Sequence, residues 1–328
     1  MMSFWNDLPQ PFFVLAPMEA VTDVVFRHVV ERAGAPDVFF TEFANATGWV
    51  HAGDRAIAGR LIKTDDEYPL VAQIWGGEPG DMEQFAQHCA RLGFAGIDIN
   101  MGCPAKSAIK SGGAALIRNP DVAVAAIAAA KTAGLPVSVK TRLGYSTVDE
   151  WRVWLTTLLQ QDIVNLTIHL RTKKEMSKVA AHYELIDDIV ALRDAIAPQT
   201  LLTINGDIRD RAHGMALVAA HPGVNGVMIG RGVFADPFCF APHADDTVQS
   251  AGSLVQRNFA LLRYHLDLFD HWQPQLGRPY ETLKRFYKIY IRDFDGAKEL
   301  RDQLMHTTST DEARQIIHQW HEAMSASE

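Results

Sequence analysis

GIDINMGCPAK, residues Gly96–Lys106, reads as a short apolar strand, Gly96–Ile99, that runs into polar residues, a glycine and then Cys103-Pro104. A cysteine fixed where a strand opens into a loop can give or accept a proton, or attack, at a defined point in space. Standing alone, a Cys-Pro pair would read as an ordinary loop. The strands on either side of it give it a setting.

Working outward, the same unit of strand then helix repeats from Pro11 to Gly232. Strands are expected at Phe12–Pro17, Val38–Phe43, Leu70–Trp75, Gly96–Ile99, Val137–Thr141, Asn165–His169, Leu201–Asn205 and Gly226–Ile229. They are short, rich in Val, Ile, Leu and Phe, and mostly lack polar alternation, as strands covered on both faces do. Helices are expected at Asp81–Leu92, Asp121–Thr132, Tyr183–Ala197 and Arg209–Ala220. The second of these follows Asn119-Pro120, a good helix entry. Eight such units predict a (β/α)8 TIM barrel, with a doubly wound open sheet as the alternative. Residues 1–242 would form this barrel. Residues 243–253, polar and aperiodic, read as a linker. Residues 254–328 show only helical patterns, at Leu254–His271, Tyr280–Asp293, Ala297–His306 and Thr310–Met324, and predict an all-helical bundle domain.

The 328 residues are 48% apolar and 21% charged, ordinary globular composition with length enough for a large core and a smaller domain. No run approaches the roughly 18 consecutive apolar residues of a membrane span. Met1–Gln10 carries Asp7 and no basic residue ahead of an apolar stretch, unlike a secretory leader. Three cysteines, Cys89, Cys103 and Cys239, include no CxxC pair. That pattern argues for a reducing setting and against a disulfide frame or a zinc site. The expectation is a cytoplasmic protein with no membrane association and no metal. A net charge of −8 points, by itself, away from nucleic acid.

Polar residues recur at the C-terminal ends of the strands, where chemistry gathers in such barrels. They are Pro17-Met18-Glu19, Thr41-Glu42, Gln73, Asp98 with Asn100 and Cys103, Lys140 with Arg142, His169 with Arg171, Asn205-Gly206-Asp207, and Gly230-Arg231-Gly232. Singly, each has a plain reading. Lys140 could be a solvated strand-end lysine, His169 a satisfied core histidine, and Asp98 and Asn100 turn caps. Cys89, on the apolar stripe of a helix, reads as core, and Cys239 between Phe238 and Phe240 as packing. Recurrence at eight strand ends is harder to explain without a ligand, because interior strand ends are costly places for Lys, His, Gln and Asn. The glycines after the last two strands, with Arg231, suit a phosphate. Lys140 and Gln73 deeper in the mouth suit a phosphorylated ring cofactor, and a lysine beside a flavin stabilises its anionic reduced form.

The motifs LAPMEAVTD (Leu15–Asp23), TEF (Thr41–Phe43), DINMGCPAK (Asp98–Lys106), SGGAAL (Ser111–Leu116), VKTRLG (Val139–Gly144), NGD (Asn205–Asp207) and MIGRG (Met228–Gly232) resemble, in order, those of the tRNA-dihydrouridine synthases. The tail stretch Leu283–Arg301 resembles theirs too. The resemblance covers nearly the whole chain. It implies FMN in the barrel mouth, NADPH as reductant, and reduction of a uridine in tRNA to 5,6-dihydrouridine. It implies FMN contacts at Pro17, Met18, Glu19, Gln73, Lys140, His169, Asn205, Gly206, Asp207, Gly230 and Arg231. It makes Cys103 the general acid and gives Asn100 and Lys106 the task of placing the base. Arg142 and Arg171 are further expected substrate contacts. One departure is Leu170, where the family commonly has a glycine after the strand-six histidine; no glycine then follows before His182.

In the tail, Lys284, Lys288 and Arg292 are spaced i, i+4, i+8, and one helix would place them on one face with Arg285 nearby. A solvated face is the plain reading of such a run. The family's tail favours RNA contact. Two other functions compete with the leading one. An FMN-barrel oxidoreductase of a small molecule would share the phosphate site and the lysine but would not need the basic tail. An RNA-binding protein without catalysis would not need Cys103, Lys140 and Arg231. No protein partner is evident, and a monomer is expected.

Overall fold

The computed structural model describes residues 3–110, 112–242 and 254–325, so the expected linker 243–253 lies outside the described residues. Eight parallel strands form the barrel: β1 (Phe12–Leu15), β2 (Phe39–Phe40), β3 (Leu70–Trp75), β4 (Gly96–Met101), β5 (Val137–Arg142), β6 (Asn165–His169), β7 (Leu201–Asn205) and β8 (Gly226–Ile229). Their order around the sheet is β1-β8-β7-β6-β5-β4-β3-β2. A bridge between Val14 and Val38 brings β1 back to the start of β2, and Leu15 N–H donates to Val38 O at 3.3 Å. The ring is therefore nearly closed, as a (β/α)8 barrel requires. A two-residue strand, Ala44–Asn45, adds to β3.

β3, β6, β7 and β8 have the expected bounds. β4 and β5 run further than expected, to Met101 and Arg142, because Asn100 pairs with Lys140 and Met101 with Thr141. β1 and β2 are shorter.

The expectation of little polar alternation fails in four consecutive strands. In β4 to β7 the apolar Ile97, Ile99, Val137, Val139, Leu166, Ile168, Leu202 and Ile204 are buried on one face. Helices Pro79–Arg91 and Pro120–Lys131 pack against β4. The other face carries Asp98, Asn100, Ser138, Lys140, Arg142, Asn165, Thr167, His169, Thr203 and Asn205, since side chains two apart on a strand share a face. Register partners share that face: Gln73 with Asp98, Asn100 with Lys140, Lys140 with Thr167, His169 with Asn205.

The interior is thus split. Phe12, Val14, Phe40, Val71 and Met228 fill one side together with Trp5 from the N-terminal segment. Gly226 is required there, because a Cβ would lie 2.3 Å from the Phe12 ring. The other side is polar and internally hydrogen-bonded: Thr203 Oγ1 donates to Asn165 Oδ1 at 2.8 Å and Asn165 Nδ2 to Thr167 Oγ1 at 3.1 Å. Buried polar groups are tolerable only when paired in this way.

The chain divides into two compact units. One takes the described residues of Met1–Asp23 and Pro36–Gly230, the other those of Val24–Ala35 and Arg231–Glu328. In the second unit, helix Val24–Gly34 packs along the long helix Leu254–Leu276. Phe26 sits against the rings of Phe234, His265 and Phe286. His265 Nδ1 and Tyr290 OH pair at 2.7 Å; burial holds this histidine neutral, its pKa pulled down to about 3. Helices Ala297–His306 and Thr310–Ser325 follow as expected.

The segment 280–293 is not the single helix that was expected. It is two 3₁₀ turns, Tyr280–Thr282 and Lys284–Phe286, then one α-turn, Tyr287–Tyr290, which ends at Ile291. Leu283, Phe286, Tyr287, Ile289, Tyr290 and Ile291 are buried along it.

Candidate active site

The cysteine loop is built from β4 outward. Gly102 and Cys103 leave the strand just beyond Met101, and both of their N–H groups donate to Asn100 Oδ1, at 3.1 and 2.9 Å. Gly102 permits close passage over β5, since a Cβ would meet the backbone of Thr141 at 3.2 Å. Cys103 O accepts from Ala114 N at 3.1 Å, so the motif at Gly112–Leu116 holds the far side of the loop. Gly113 there has φ of +55°, and a Cβ on it would lie 3.0 Å from Cys103 O. The thiol of Cys103 is partly buried, and burial raises its pKa despite the opposing pull of Arg142 and Lys140. It is held as a thiol, the form that can give a proton. Cys89 is fully buried on its helix, pushed up to about 12 by that burial, and Cys239 is buried too.

Behind the loop, Asn100 Nδ2 donates to Gln73 Oε1 at 3.0 Å, and Gln73 Nε2 donates to Asp98 Oδ2 at 2.8 Å. Asp98 is wholly buried in mid-strand, not a turn cap. Burial raises its pKa to about 6, against the pull of its bonds to Gln73 and Ser138 and of nearby Lys140. Lys140 lies on the same face of the next strand. Its ammonium makes one hydrogen bond, to Asn205 Oδ1 at 3.3 Å, while Asn205 Nδ2 donates to Met228 O. Burial, then Arg142, lowers its pKa to about 8.

Arg142 and Arg171, expected at the substrate, are engaged by backbone. Arg142 Nε donates to Gly102 O at 2.7 Å, and its Nη1 to the carbonyls of Thr172 and Met176 at 3.2 and 3.1 Å. Arg171 donates to Val179 O at 2.6 Å and pairs with Asp207. The two guanidiniums staple the loop that follows Leu170. Buried cations need acceptors, and carbonyls of a glycine-free loop supply them. Asp207, at φ of +53°, also accepts from Ala181 N. Glu175 and Glu184 hold His182 between them, which raises the histidine pKa above its ordinary value against the effect of burial.

The remaining expected residues are placed as follows. Pro17 and Met18 lie just beyond β1, half-buried; Glu19 is exposed and ion-paired with Arg60. His169 Nδ1 is 3.5 Å from Arg142 Nη1. Gly206 has φ of +129° and Gly230 follows β8. Arg231 precedes the short helix Gly232–Ala235 in the second unit. Lys106 is exposed beyond Cys103.

The residues present fit a phosphorylated ring cofactor. Lys140 has donors to spare. Arg171 Nη1 is buried with no partner, 3.8 Å from the point where a Gly206 side chain would begin. A buried donor left open beside a glycine is suited to an anion.

In the second unit, Lys284, Arg285, Lys288, Lys298 and Arg301 line a cavity of about 720 Å³ with Glu299 and Asp302. Arg292 is not among them. It pairs with Asp293 and donates to Ala235 O, past the end of the Tyr287–Tyr290 turn, so the expected three-residue stripe does not exist on one helix. Lys298 and Arg301, on the next helix and outside the expected stripe, are brought beside Lys284 by the tertiary fold. Among the described residues no single helix is long and apolar enough to cross a membrane.

Comparison with known proteins bears on the family. A family model described as "Dihydrouridine synthase (Dus)" matches residues 14–326. "Probable tRNA-dihydrouridine synthase 2" of Bacillus subtilis strain 168 is 56% identical over 317 residues, covering 96% of this chain and 95% of its own. "Probable tRNA-dihydrouridine synthase" of Staphylococcus epidermidis is 52% identical over 326 residues, 99% and 98% of the two chains. A protein of the same name from Staphylococcus aureus strain Mu50 is 52% identical over 324 residues, 98% and 97%. Matched to the family model over residues 14–326 and to curated relatives over nearly its whole length, this chain belongs to the bacterial tRNA-dihydrouridine synthase family.

Proposed function

We propose that this protein reduces a uridine of tRNA to 5,6-dihydrouridine, using FMN that NADPH re-reduces. The observation that carries this reading is Cys103: a protonated thiol on a loop clamped at both ends, at the mouth of a strand whose interior face leads to Lys140. The uracil C5=C6 bond is conjugated to the C4 carbonyl, so a hydride added at C6 leaves electron density at C5. Reduced FMN, when bound, supplies that hydride. The Sγ–H of Cys103 gives its proton at C5 and is restored from solvent. Lys140, with Asn205 fixing its ammonium, would hold the N1–C2=O edge of the ring cofactor. Gln73, His169, Gly206, Asp207 and Gly230 would line the cofactor's place, with Arg171 Nη1 open toward an anion. Asn100 and Lys106 would place the base. The base must leave the stack to reach Cys103, at a cost of a few kcal/mol.

In this reading residues 1–242 carry the chemistry and 254–328 contact RNA phosphates through Lys284, Arg285 and Lys288. The protein acts as a cytoplasmic monomer. The test is spectroscopic. The purified protein should be yellow and release FMN on denaturation; NADPH should bleach it, and unmodified tRNA should then restore the colour without oxygen. A colourless protein that cannot be reconstituted with FMN overturns the cofactor. Colour restored by a small unsaturated substrate and not by tRNA favours the small-molecule oxidoreductase.

A further inference from the structure

The turn that follows β7, Asn205-Gly206-Asp207, is held by the glycine-free loop after Leu170. Leu170 N donates to Asn205 O at 2.9 Å, and Ala181 N donates to Asp207 Oδ2 at 3.1 Å. Arg171 pairs with the same carboxylate. Between these anchors lies the Gly206–Asp207 peptide, whose carbonyl accepts from Tyr183 OH at 2.6 Å. Tyr183 stands in the outer layer of the barrel. Its 3₁₀ turn, Tyr183–Leu185, leads into helix Ile186–Ile196, and its ring meets His213 of helix Arg211–Ala220 edge-on. Burial, then Asp207, pushes its hydroxyl up to about 12, so it stays protonated and is the donor.

The flanking anchors leave this peptide free to turn over. A peptide plane between two held α-carbons inverts by opposite changes in the ψ before it and the φ after it. Gly206 accepts either ψ. Asp207 does not accept both φ values equally. Its φ of +53° is left-handed, which costs a residue with a side chain, and inversion would return it to negative φ. The local backbone therefore favours the inverted form, and the bond from Tyr183 opposes that preference. The peptide is trans, so its C=O and N–H point in opposite directions. Drawing Gly206 O outward turns the N–H of Asp207 inward. Inversion would put a carbonyl oxygen there instead.

We propose that Tyr183 is a positioning residue for the cofactor's phosphate: its hydroxyl holds the Gly206–Asp207 peptide with the N–H facing the barrel mouth. The proposal rests on the reading of that mouth as an FMN site. The turn already carries one unanswered positive group, since Arg171 Nη1 is buried with no partner, 3.8 Å from where a Gly206 side chain would begin. Backbone N–H groups of such turns attract an anion, and a carbonyl oxygen in the same place repels it. Tyr183 acts on the phosphate only through the peptide it holds.

The test compares two flavins on the purified full-length protein after its flavin is removed. FMN and riboflavin share ring and ribityl chain and differ by the phosphate. Tyr183→Phe keeps the ring against His213 and removes the hydroxyl, and thermal unfolding checks that it is folded. Its affinity for FMN should fall about 5- to 10-fold, the loss of roughly one hydrogen bond, while its affinity for riboflavin stays at the wild-type value. The phosphorus NMR resonance of bound FMN should move, and the visible spectrum of the bound ring should not.

Equal losses for FMN and riboflavin would make Tyr183 a general support of the fold and overturn the proposal. So would wild-type FMN affinity with an unmoved phosphorus resonance, which would show that the peptide keeps its orientation unaided. Where riboflavin binds too weakly to titrate, the phosphorus resonance decides. The two possible failures are distinguishable. A wild-type protein that binds neither flavin overturns the FMN reading and this proposal with it; a wild-type protein that binds FMN, with a Tyr183→Phe variant that matches it, overturns this proposal alone.

Discussion

The carboxamide oxygen of Asn100 accepts from the backbone N–H of Cys103 at 2.9 Å, so a residue of β4, one before its end, also fixes the loop that follows. Strand and reactive group are joined without an intervening flexible segment. A donor held this way meets its acceptor at a set distance, which is where much of the rate of a general acid originates.

Replacing the thiol tests its role directly. Cys103→Ala should keep FMN and be reduced by NADPH at the wild-type rate, yet be reoxidised by tRNA about 10²- to 10⁴-fold more slowly. Stopped-flow measurement of both half-reactions separates the two. Cys89→Ala, far into the helix packing, should alter stability and leave both rates alone. Equal reoxidation by Cys103→Ala and wild type would remove the thiol from the mechanism.

Lys140 predicts a pH dependence. Burial and the Arg142 charge destabilise its ammonium, so the pKa falls to about 8. The cation is present below that value and is lost as pH rises through it. The affinity of the flavin-free protein for FMN should therefore decline above about pH 8. Lys140→Arg, with a guanidinium that stays charged, should hold its affinity across the same range. Fluorescence titration between pH 7 and 9.5 reads it, and a flat wild-type profile would take Lys140 away from the cofactor.

Gly113 should resist substitution. It has φ of +55°, and a Cβ would press on Cys103 O at 3.0 Å and Ala108 Cβ at 3.2 Å. Gly113→Ala should cost about 1–2 kcal/mol in backbone strain alone. Thermal unfolding would show the loss, and faster alkylation of Cys103 would show that the loop has loosened. A variant as stable as wild type would mean that the loop relaxes freely.

RNA contact should map to the basic cavity, not to the sequence stripe. Lys284→Ala/Lys288→Ala should weaken tRNA binding and flatten the slope of log affinity against log salt by roughly 0.7–0.9 per lost phosphate contact. Adding Lys298→Ala should flatten it further. Arg292→Ala, whose guanidinium is taken by Asp293 and Ala235 O, should leave the slope nearly unchanged. Equal slopes for wild type and the cavity variants would move the RNA surface elsewhere.

The barrel was legible because each strand is a short apolar run between turn residues, and that pattern survives without any knowledge of contacts. Cys103, Lys140 and Asn205 were legible as residues of strand ends for the same reason. The alternation in β4 to β7 was present in the sequence as Ile-Asp-Ile-Asn and Val-Ser-Val-Lys, and reading it at period two would have put Asp98 and Ser138 inside. What sequence does not carry is the fate of a guanidinium. Arg142 and Arg171 bind carbonyls of residues 172–179, a choice made by burial and by loop shape. The break in 280–293 was not legible either, since Leu283, Phe286, Tyr287 and Tyr290 are buried at a spacing one helix would also give. The grouping of helix Val24–Gly34 with the C-terminal helices rests on long-range packing against Leu254–Leu276.

The most direct test of the central claim is product formation. The purified flavin-loaded protein is incubated with NADPH and tRNA from cells that make no dihydrouridine, and the RNA is digested and read by mass spectrometry. The account predicts 5,6-dihydrouridine from the wild-type protein and almost none from Cys103→Ala. NADPH oxidation with no dihydrouridine in any tRNA would contradict it.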